Sequence, residues 1–201
     1  YQKAGIIKNK IPVVITKQNI TAKKIISDIA IKKESKIYES NKEIKIIKKE
    51  DKGLSGVKLN LHNNILNKSH QTYLKLLGDH QIDNLKTALT TLSIIKKNGV
   101  KIDLDKSCEK IMDITWPGRN NFISKNPNIF VDGAHNDDSA KLLSKNINNF
   151  FPKLNNLIII FGCNIGHEPK DIIEKFSNYN PKIIITQSRH PKSFDLKNMK
   201  N

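Results

Sequence analysis

Side chains that could do chemistry are concentrated in five short stretches of the 201-residue chain. Taken alone, each stretch also has an ordinary structural explanation. Lys3, for example, precedes Ala-Gly, where a lysine is commonly just a solvated side chain beside a turn. The five stretches are KAGIIK at 3–8 with PVV at 12–14, GDHQIDN at 78–84, WPGR at 116–119, VDGAHN at 131–136 and TQSRHP at 186–191.

Arg119 and Asp132 are the side chains best suited to bind a phosphorylated ligand. Arg119 ends a rigid Trp-Pro-Gly turn and is one of only two arginines in the chain. A guanidinium fork matches a terminal phosphate in a way that lysine does not. Asp132 follows an apolar segment and precedes a helix, where a carboxylate can accept two ribose hydroxyls. The alternative for Asp132 is a helix N-cap.

The remaining two stretches allow two interpretations each. GDHQIDN opens a helix, so it is either a polar capping region or a site where the amide of Asn84 faces a purine edge. TQSRHP follows the last predicted strand and is either a ligand loop or an ordinary surface loop.

Net charge first suggests an acidic partner, because 35 basic residues oppose 19 acidic ones and give +16. Almost all of this charge is lysine, which rises together with Ile and Asn along the whole chain, and aromatic residues make up only 6%. A groove for nucleic acid favours arginine and stacked aromatics. We therefore interpret the charge as compositional bias, with nucleic-acid binding kept as a rival.

The cysteines and the hydropathy restrict the protein class further. Cys108 and Cys163 are far apart and form no CxxC, so neither a zinc site nor a disulfide framework is predicted, and a reduced, cytoplasmic setting fits. The longest purely apolar run, 157–161, is far shorter than a membrane span. The chain opens on Tyr1 without a methionine, and we expect it to be a fragment.

The hydrophobic pattern places these stretches on alternating strands and helices. Up to Trp116 it predicts a strand over 11–16, a helix over 21–33, a β-meander of runs at 36–39, 43–48, 56–61 and 71–76, and helices over 83–97 and 105–114. Beyond Trp116 it predicts strands at 129–131, 157–161 and 182–186 that alternate with helices at 138–149 and 171–178. That alternation predicts a three-stranded parallel sheet whose carboxyl ends carry Asp132, Gly162 and Gln187.

Together and in this order, the five stretches resemble the folylpolyglutamate synthase and dihydrofolate synthase family, a branch of the Mur-ligase superfamily. The resemblance implies an α/β fold. Residues 1–117 would be the C-terminal part of a central ATP-binding domain. Residues 118–201 would be the N-terminal part of a Rossmann-like, glutamate-ligase C-terminal domain.

The resemblance also implies roles for individual residues. Lys3 matches the lysine that family members carry as a carbamate, which would make it a ligand and catalytic group at a Mg²⁺ ion. Asn84 matches the amide that contacts the nucleotide base. Arg119 matches the arginine that reaches the phosphates, and Asp132 the acid on the ribose. His135 matches a histidine close to the nucleotide, with both binding and catalytic roles.

The implied reaction is an ATP-dependent amide ligation. A carboxylate of folate or dihydropteroate would attack the γ-phosphorus to give an acyl phosphate, from which the amine of L-glutamate would displace phosphate. ATP and Mg²⁺ are the implied cofactors. Like family members, the protein would act as a cytoplasmic monomer in one-carbon metabolism, with no membrane and no specific nucleic-acid partner.

The chain also departs from the family pattern. It has no G-x-x-x-x-G-K-[ST] loop for the phosphates, Gln2 stands where Glu is common, and Lys192 stands where Arg is common. We expect truncation at both ends, and hence no turnover by these 201 residues alone. The alternatives are another Mur-type ligase acting on a cell-wall precursor, and a non-catalytic basic module that binds nucleic acid.

Overall fold

The computed structural model describes residues 2–166 and 168–195, with only the backbone of Gln2 and Lys3. The chain divides into two compact units, Tyr1–Trp116 and Pro117–Asn201. No helix in the described residues is both long and apolar enough to cross a membrane. The predicted domain boundary lies after residue 117, and the assignment of the two parts to Mur-ligase domains stays a prediction.

In its described residues, the first unit contains nine regular elements and three short 3-10 helices. The elements are β1 Val13–Ile15, α1 Ile20–Lys32, β2 Ile37–Glu39, α2 Ser40–Glu43, β3 Ile44–Asp51, β4 Val57–Asn63, β5 Lys68–Leu74, α3 Asp79–Lys97 and α4 Leu104–Lys110. The 3-10 helices span Gln2–Ile6, Gly53–Ser55 and Ile111–Asp113.

The first unit begins with a parallel β1-α1-β2 arrangement. The side chain of Asn19 caps α1 by accepting a hydrogen bond from the Ala22 N–H. The predicted apolar face of α1 is confirmed, since Ala30 is fully buried and the isoleucines beside it pack around it. The prediction that residues 36–39 join the meander is wrong, because β2 pairs in parallel with β1. The α1 crossover supplies the chain length that a parallel return requires.

The predicted meander is confirmed for β3, β4 and β5, which form an antiparallel sheet in that order. Val57, Leu59 and Leu61 alternate along β4 and are all buried. They pack with apolar residues of α3 and α4 in the main core of this unit. The strand period of two thus places one face of the sheet under the two helices.

The two predicted helices that follow are confirmed. The first starts four residues earlier than expected, at Asp79 rather than Asp83, and ends as predicted at Asn98-Gly99, where Gly99 has a φ of 96°. Asp103 caps α4 by accepting a hydrogen bond from the Lys106 N–H. Capping by Asp is favourable because it satisfies a backbone donor that a helix start leaves unpaired.

Over the part of it that the structure describes, the second unit contains six regular elements. They are β6 Asn121–Lys125, β7 Asn128–Val131, α5 Asp137–Phe150, β8 Ile158–Phe161, α6 Pro169–Glu174 and β9 Lys182–Ile185, with a 3-10 helix at Ser177–Tyr179. Its core is formed by α5 and α6 against one face of β8, through Ala140, Ile147, Phe161, Ile172 and Phe176.

The predicted three-stranded parallel sheet of this unit is wrong in one strand. Within the described residues β8 pairs in parallel with β9, whereas β7 pairs antiparallel with β6. The sequence interpretation missed β6 because its polar Asn121 and Ser124 do not give an apolar run. A hairpin partner next in sequence satisfies the backbone groups of β7 at low loop cost.

Candidate functional site

The turn that carries Arg119 lies at the open end of the β6–β7 hairpin. Two residues in this turn have left-handed backbone, Gly118 with a φ of 72° and Asn120 with a φ of 47°. Glycine and asparagine are the residues that tolerate this conformation best. The tight turn leaves Arg119 on the surface. Its guanidinium is therefore accessible to a ligand.

Two hydrogen bonds join this turn to the segment that follows β7. The Asn120 N–H donates to Asp132 Oδ2 over 2.7 Å, and the Gly133 N–H donates to the Gly118 carbonyl over 2.8 Å. The structure thus brings the WPGR and VDGAHN stretches together. The alternative interpretation of Asp132 as a helix cap is wrong, since Asn136 caps α5.

His135 lies in the turn before α5, and hydrogen bonds connect this turn to the first residues of the helix. Asn136 and Ser139 form a capping box, and Ser139 Oγ also accepts the His135 N–H over 3.0 Å. His135 Nδ1 lies 3.0 Å from the Gly133 carbonyl. Because a carbonyl only accepts, Nδ1 donates in this contact.

The charges around α5 indicate which group would bind a phosphate. Asp137 and Asp138 occupy the first turn of the helix. Asp137 also forms an ion pair with Lys175, which raises the pKa of that lysine. Two carboxylates at the helix start repel an anion that the helix dipole would otherwise attract. The start of α5 is therefore an unfavourable anion site, and the phosphate-binding role of Arg119 stays a prediction.

The loop after β9 lies beside the loop after β8. The Ile165 N–H donates to the Lys192 carbonyl over 2.7 Å, and the Phe194 N–H donates to the Cys163 carbonyl over 2.9 Å. A side chain at Gly162 would place its Cβ 2.8 Å from the Thr186 carbonyl oxygen. Of the three segments predicted to share the carboxyl edge of one parallel sheet, those that carry Gly162 and Gln187 do so, whereas Asp132 follows β7 in the separate hairpin.

In the first unit, Asn84 lies on the exposed side of α3, close to its start. Its Nδ2 donates to Oε1 of the buried Gln81 over 3.1 Å. Asp79, at the first position of the helix, forms an ion pair of 2.9 Å with Lys49 of β3. The ion pair joins the start of α3 to β3, and the base-binding role of Asn84 stays a prediction.

The metal prediction falls mainly on a side chain outside the described part of the chain. The backbone of Lys3 lies in the 3-10 helix Gln2–Ile6, and the description does not extend to its side chain. Elsewhere in residues 2–166 and 168–195, no group of three or more His, Cys, Asp or Glu side chains could hold a metal ion. Mg²⁺ and the carbamate of Lys3 therefore stay predictions.

The two cysteines differ in burial, Cys108 being buried and Cys163 only partly so. Cys108 and Cys163 are both free thiols. Burial raises the pKa of Cys108 to about 11, and burial also raises the pKa of Cys163. Neither thiol is activated as a nucleophile.

Sequence reasoning missed Asn120 and Asn146. Both side chains are buried, and Asn146 Nδ2 donates to Asn120 Oδ1 over 3.3 Å. The only signal in the sequence is an asparagine directly after Pro-Gly-Arg, in a turn where left-handed backbone is common.

These elements define a mixed α/β protein with a polar candidate site built from two joined turns. No family model matches the chain. A search of curated proteins finds dihydrofolate synthase/folylpolyglutamate synthase from Buchnera aphidicola, 37% identical over 92 residues, which are 45% of this chain and 21% of the relative. The enzyme of the same name from Bacillus subtilis is 22% identical over 197 residues, which are 97% of this chain and 44% of the relative.

Solved structures give the same result for the fold. Folylpolyglutamate synthase from Thermotoga maritima matches with a TM-score of 0.78 and 26% identity, over 98% of this chain and 46% of that one. Folylpolyglutamate synthase from Mycobacterium tuberculosis, complexed with ADP and AMPPCP, matches with a TM-score of 0.84 and 21% identity, over 98% and 45%. The resemblance to the folylpolyglutamate synthase and dihydrofolate synthase family is thus confirmed. The chain spans less than half the length of these relatives.

Proposed function

We propose that this chain supplies part of the nucleotide site of an ATP-dependent amide ligase that joins L-glutamate to folate, to dihydropteroate, or to both. The observation that carries the proposal is the pair of joined turns, which hold an accessible guanidinium and a fixed carboxylate in one unit. The named relatives support the class of reaction.

In this proposal each residue of the site has a distinct task. Arg119 binds the phosphates and stabilises the charge that builds up on them during transfer. The Asp132 carboxylate accepts the ribose hydroxyls, and His135 contacts the nucleotide from the adjoining turn. Asn84 contacts the base. Lys3, as a carbamate, would hold Mg²⁺, which would supply charge neutralisation at the phosphates.

The proposed chemistry has two steps. A carboxylate oxygen of the acceptor attacks the γ-phosphorus, the bond to the bridging oxygen breaks, and ADP leaves. The amine of glutamate then attacks the acyl carbon, phosphate leaves, and the nitrogen loses a proton to give the amide. Both steps depend on positioning, which rigid turns supply.

The proposal extends to the protein's setting. Residues 1–117 and 118–201 correspond to the adjoining parts of a central ATP-binding domain and a C-terminal domain. The protein acts as a cytoplasmic monomer without a specific nucleic-acid partner. The 201 residues alone do not catalyse the ligation. Assaying them beside the protein expressed from its complete gene tests this expectation.

The decisive assay follows labelled glutamate into product. The protein from the complete gene is given ATP, Mg²⁺ and one acceptor at a time: folate, dihydropteroate or a peptidoglycan precursor. Incorporation with a pterin acceptor supports the proposal, and incorporation only with the cell-wall precursor identifies another Mur-type ligase. Absence of any ligation, together with tight, steeply salt-dependent binding of DNA or RNA, would favour the basic-module alternative.

Arg119→Ala tests the main residue role within that assay. We expect turnover to fall by about 10²–10³-fold, because one electrophilic stabiliser is removed from the transition state. Lys125→Ala is the matched control, since Lys125 is an exposed cation on β6 of the same unit. Near-normal turnover of Arg119→Ala would refute the assignment.

A further inference from the structure

The side chains of Asn120 and Asn146 form a buried polar contact next to the proposed site. Asn120 is 5% exposed and Asn146 is 3% exposed, and Asn146 lies in the middle of α5. Burying two amides is unfavourable unless they are hydrogen-bonded to each other or to their surroundings. A buried amide pair is therefore expected to have a specific structural task.

The backbone of Asn120 shows what that task is. At a φ of 47° its N–H points to Asp132 Oδ2, 2.7 Å away. The left-handed conformation is accessible to asparagine but unfavourable for a branched or bulky residue. Contact with Asn146 anchors the Asn120 side chain to α5 and so keeps its backbone in this orientation.

Two consecutive hydrogen bonds connect Asn146 to Asn120 and Asn120 to Asp132. Asn146 holds the side chain of Asn120, and the backbone of Asn120 holds one oxygen of Asp132. The other oxygen, Oδ1, accepts no hydrogen bond from the described residues. One carboxylate oxygen is therefore fixed while the other stays available to a ligand. Arg119 is adjacent to Asn120 in the same turn and shares this anchor.

We propose that Asn120 and Asn146 are positioning residues that orient the Asp132 carboxylate toward the ribose hydroxyls of a nucleotide. This inference rests on the proposed function, and neither asparagine touches the ligand. Loss of the amide contact should weaken the recognition of the ribose hydroxyls more than any other part of nucleotide binding.

The test compares the affinities for ATP and for 2′,3′-dideoxy-ATP, measured by calorimetry on the protein from the complete gene. In the wild type we expect ATP to bind about tenfold more tightly than 2′,3′-dideoxy-ATP. The analogue lacks the ribose hydroxyls that would donate hydrogen bonds to the Asp132 carboxylate. In Asn146→Leu the ratio should fall to near one. Asn149→Leu is the matched control, since Asn149 lies on the exposed side of the same helix, and its ratio should stay near ten.

A second variant guards against loss of folding. Asn120→Gly keeps the left-handed backbone available and removes only the amide side chain, so its ratio should also fall. Near-ultraviolet circular dichroism establishes that each variant is folded. A purely structural role would lower thermal stability and leave the ratio unchanged in the folded protein.

The results distinguish failure of the positioning role from failure of the proposed function. A tenfold ratio in the wild type that persists in Asn146→Leu and Asn120→Gly overturns the positioning role and leaves the proposed function standing. Failure of the wild type to bind ATP overturns both.

Discussion

The internal contacts of the first unit differ from those of the second. In the first, three antiparallel strands turn one apolar face to α3 and α4, and Leu59 is completely buried. In the second, the described strands form two separate pairs, and Ile158 and Ile160 of β8 are 61% and 71% exposed. Burial of apolar surface dominates the stability of the first unit. Hydrogen bonds between turns shape the candidate site of the second.

This difference has a consequence for function. Arg119, Asp132 and His135 all lie in turns of the second unit. Contacts with backbone groups fix the side chains of Asp132 and His135 there. Rigid turns on a scaffold are common locations for binding residues. Substitutions in the first core should therefore act on stability, and substitutions in the turns should act on binding.

The largest expected effect on stability is that of Leu59→Ala. Removing this buried side chain leaves a cavity and should lower the free energy of unfolding by about 2–5 kcal/mol. Ile160→Ala removes an exposed side chain of the second unit and should change it by less than about 0.5 kcal/mol. Urea denaturation measures both, and equal effects would contradict the contrast between the units.

The two cysteines give a comparison of reactivity. Burial raises the pKa of Cys108 to about 11, so at pH 8 only about one molecule in a thousand carries the thiolate there. Cys163 is only partly buried. We expect iodoacetamide to modify Cys163 at least about tenfold faster, as followed by mass spectrometry of peptides. Preferential labelling of Cys108 would show that the first core opens readily.

The two helix caps provide the next comparison. Asp103→Ala in the first unit and Asn136→Ala in the second each remove a side chain that accepts a backbone N–H. Each should cost about 1 kcal/mol of stability. Only Asn136→Ala should also weaken ATP binding, because its turn carries His135. Equal nucleotide affinities of the two variants would argue against a site at this turn.

The smallest expected effect is a pH dependence in the first unit. A hydrogen bond from Lys68 lowers the pKa of Asp105 below its ordinary value of 3.8, and a hydrogen bond with His70 has a smaller effect in the same direction. A lowered pKa in the folded state contributes stability above the unfolded-state value, and this contribution is lost as the pH falls through the folded-state value. Urea denaturation from pH 6 to pH 2 should show a shallower acid decline for Asp105→Asn. An unchanged decline would show that this ion pair adds nothing.

Local patterns predicted most of the helices and the main sheet. The spacing of Leu85 and Leu89 predicted α3, and the alternation of Leu59 and Leu61 predicted β4. The pairing of β2 with β1 was not predicted, because short strands carry no signal of their partner. The same reason explains why β7 was placed in the wrong sheet.

Sequence motifs predicted residues of the candidate site, but they did not predict the contacts between those residues. WPGR and VDGAHN identified Arg119 and Asp132, and the resemblance assigned their roles. The contact between Asn120 and Asp132 joins a backbone donor to a carboxylate twelve residues away, and sequence patterns do not encode such a contact. Asn146 was missed because an asparagine within a helix usually faces solvent.

The most direct test of the central claim is the affinity of the protein from the complete gene for ATP, measured by calorimetry. We expect Arg119→Ala and Asp132→Ala each to weaken binding at least about tenfold, since each removes a charged contact. Lys125→Ala should bind as the wild type does. Equal affinity in all four proteins, or no binding by the wild type, would contradict the account.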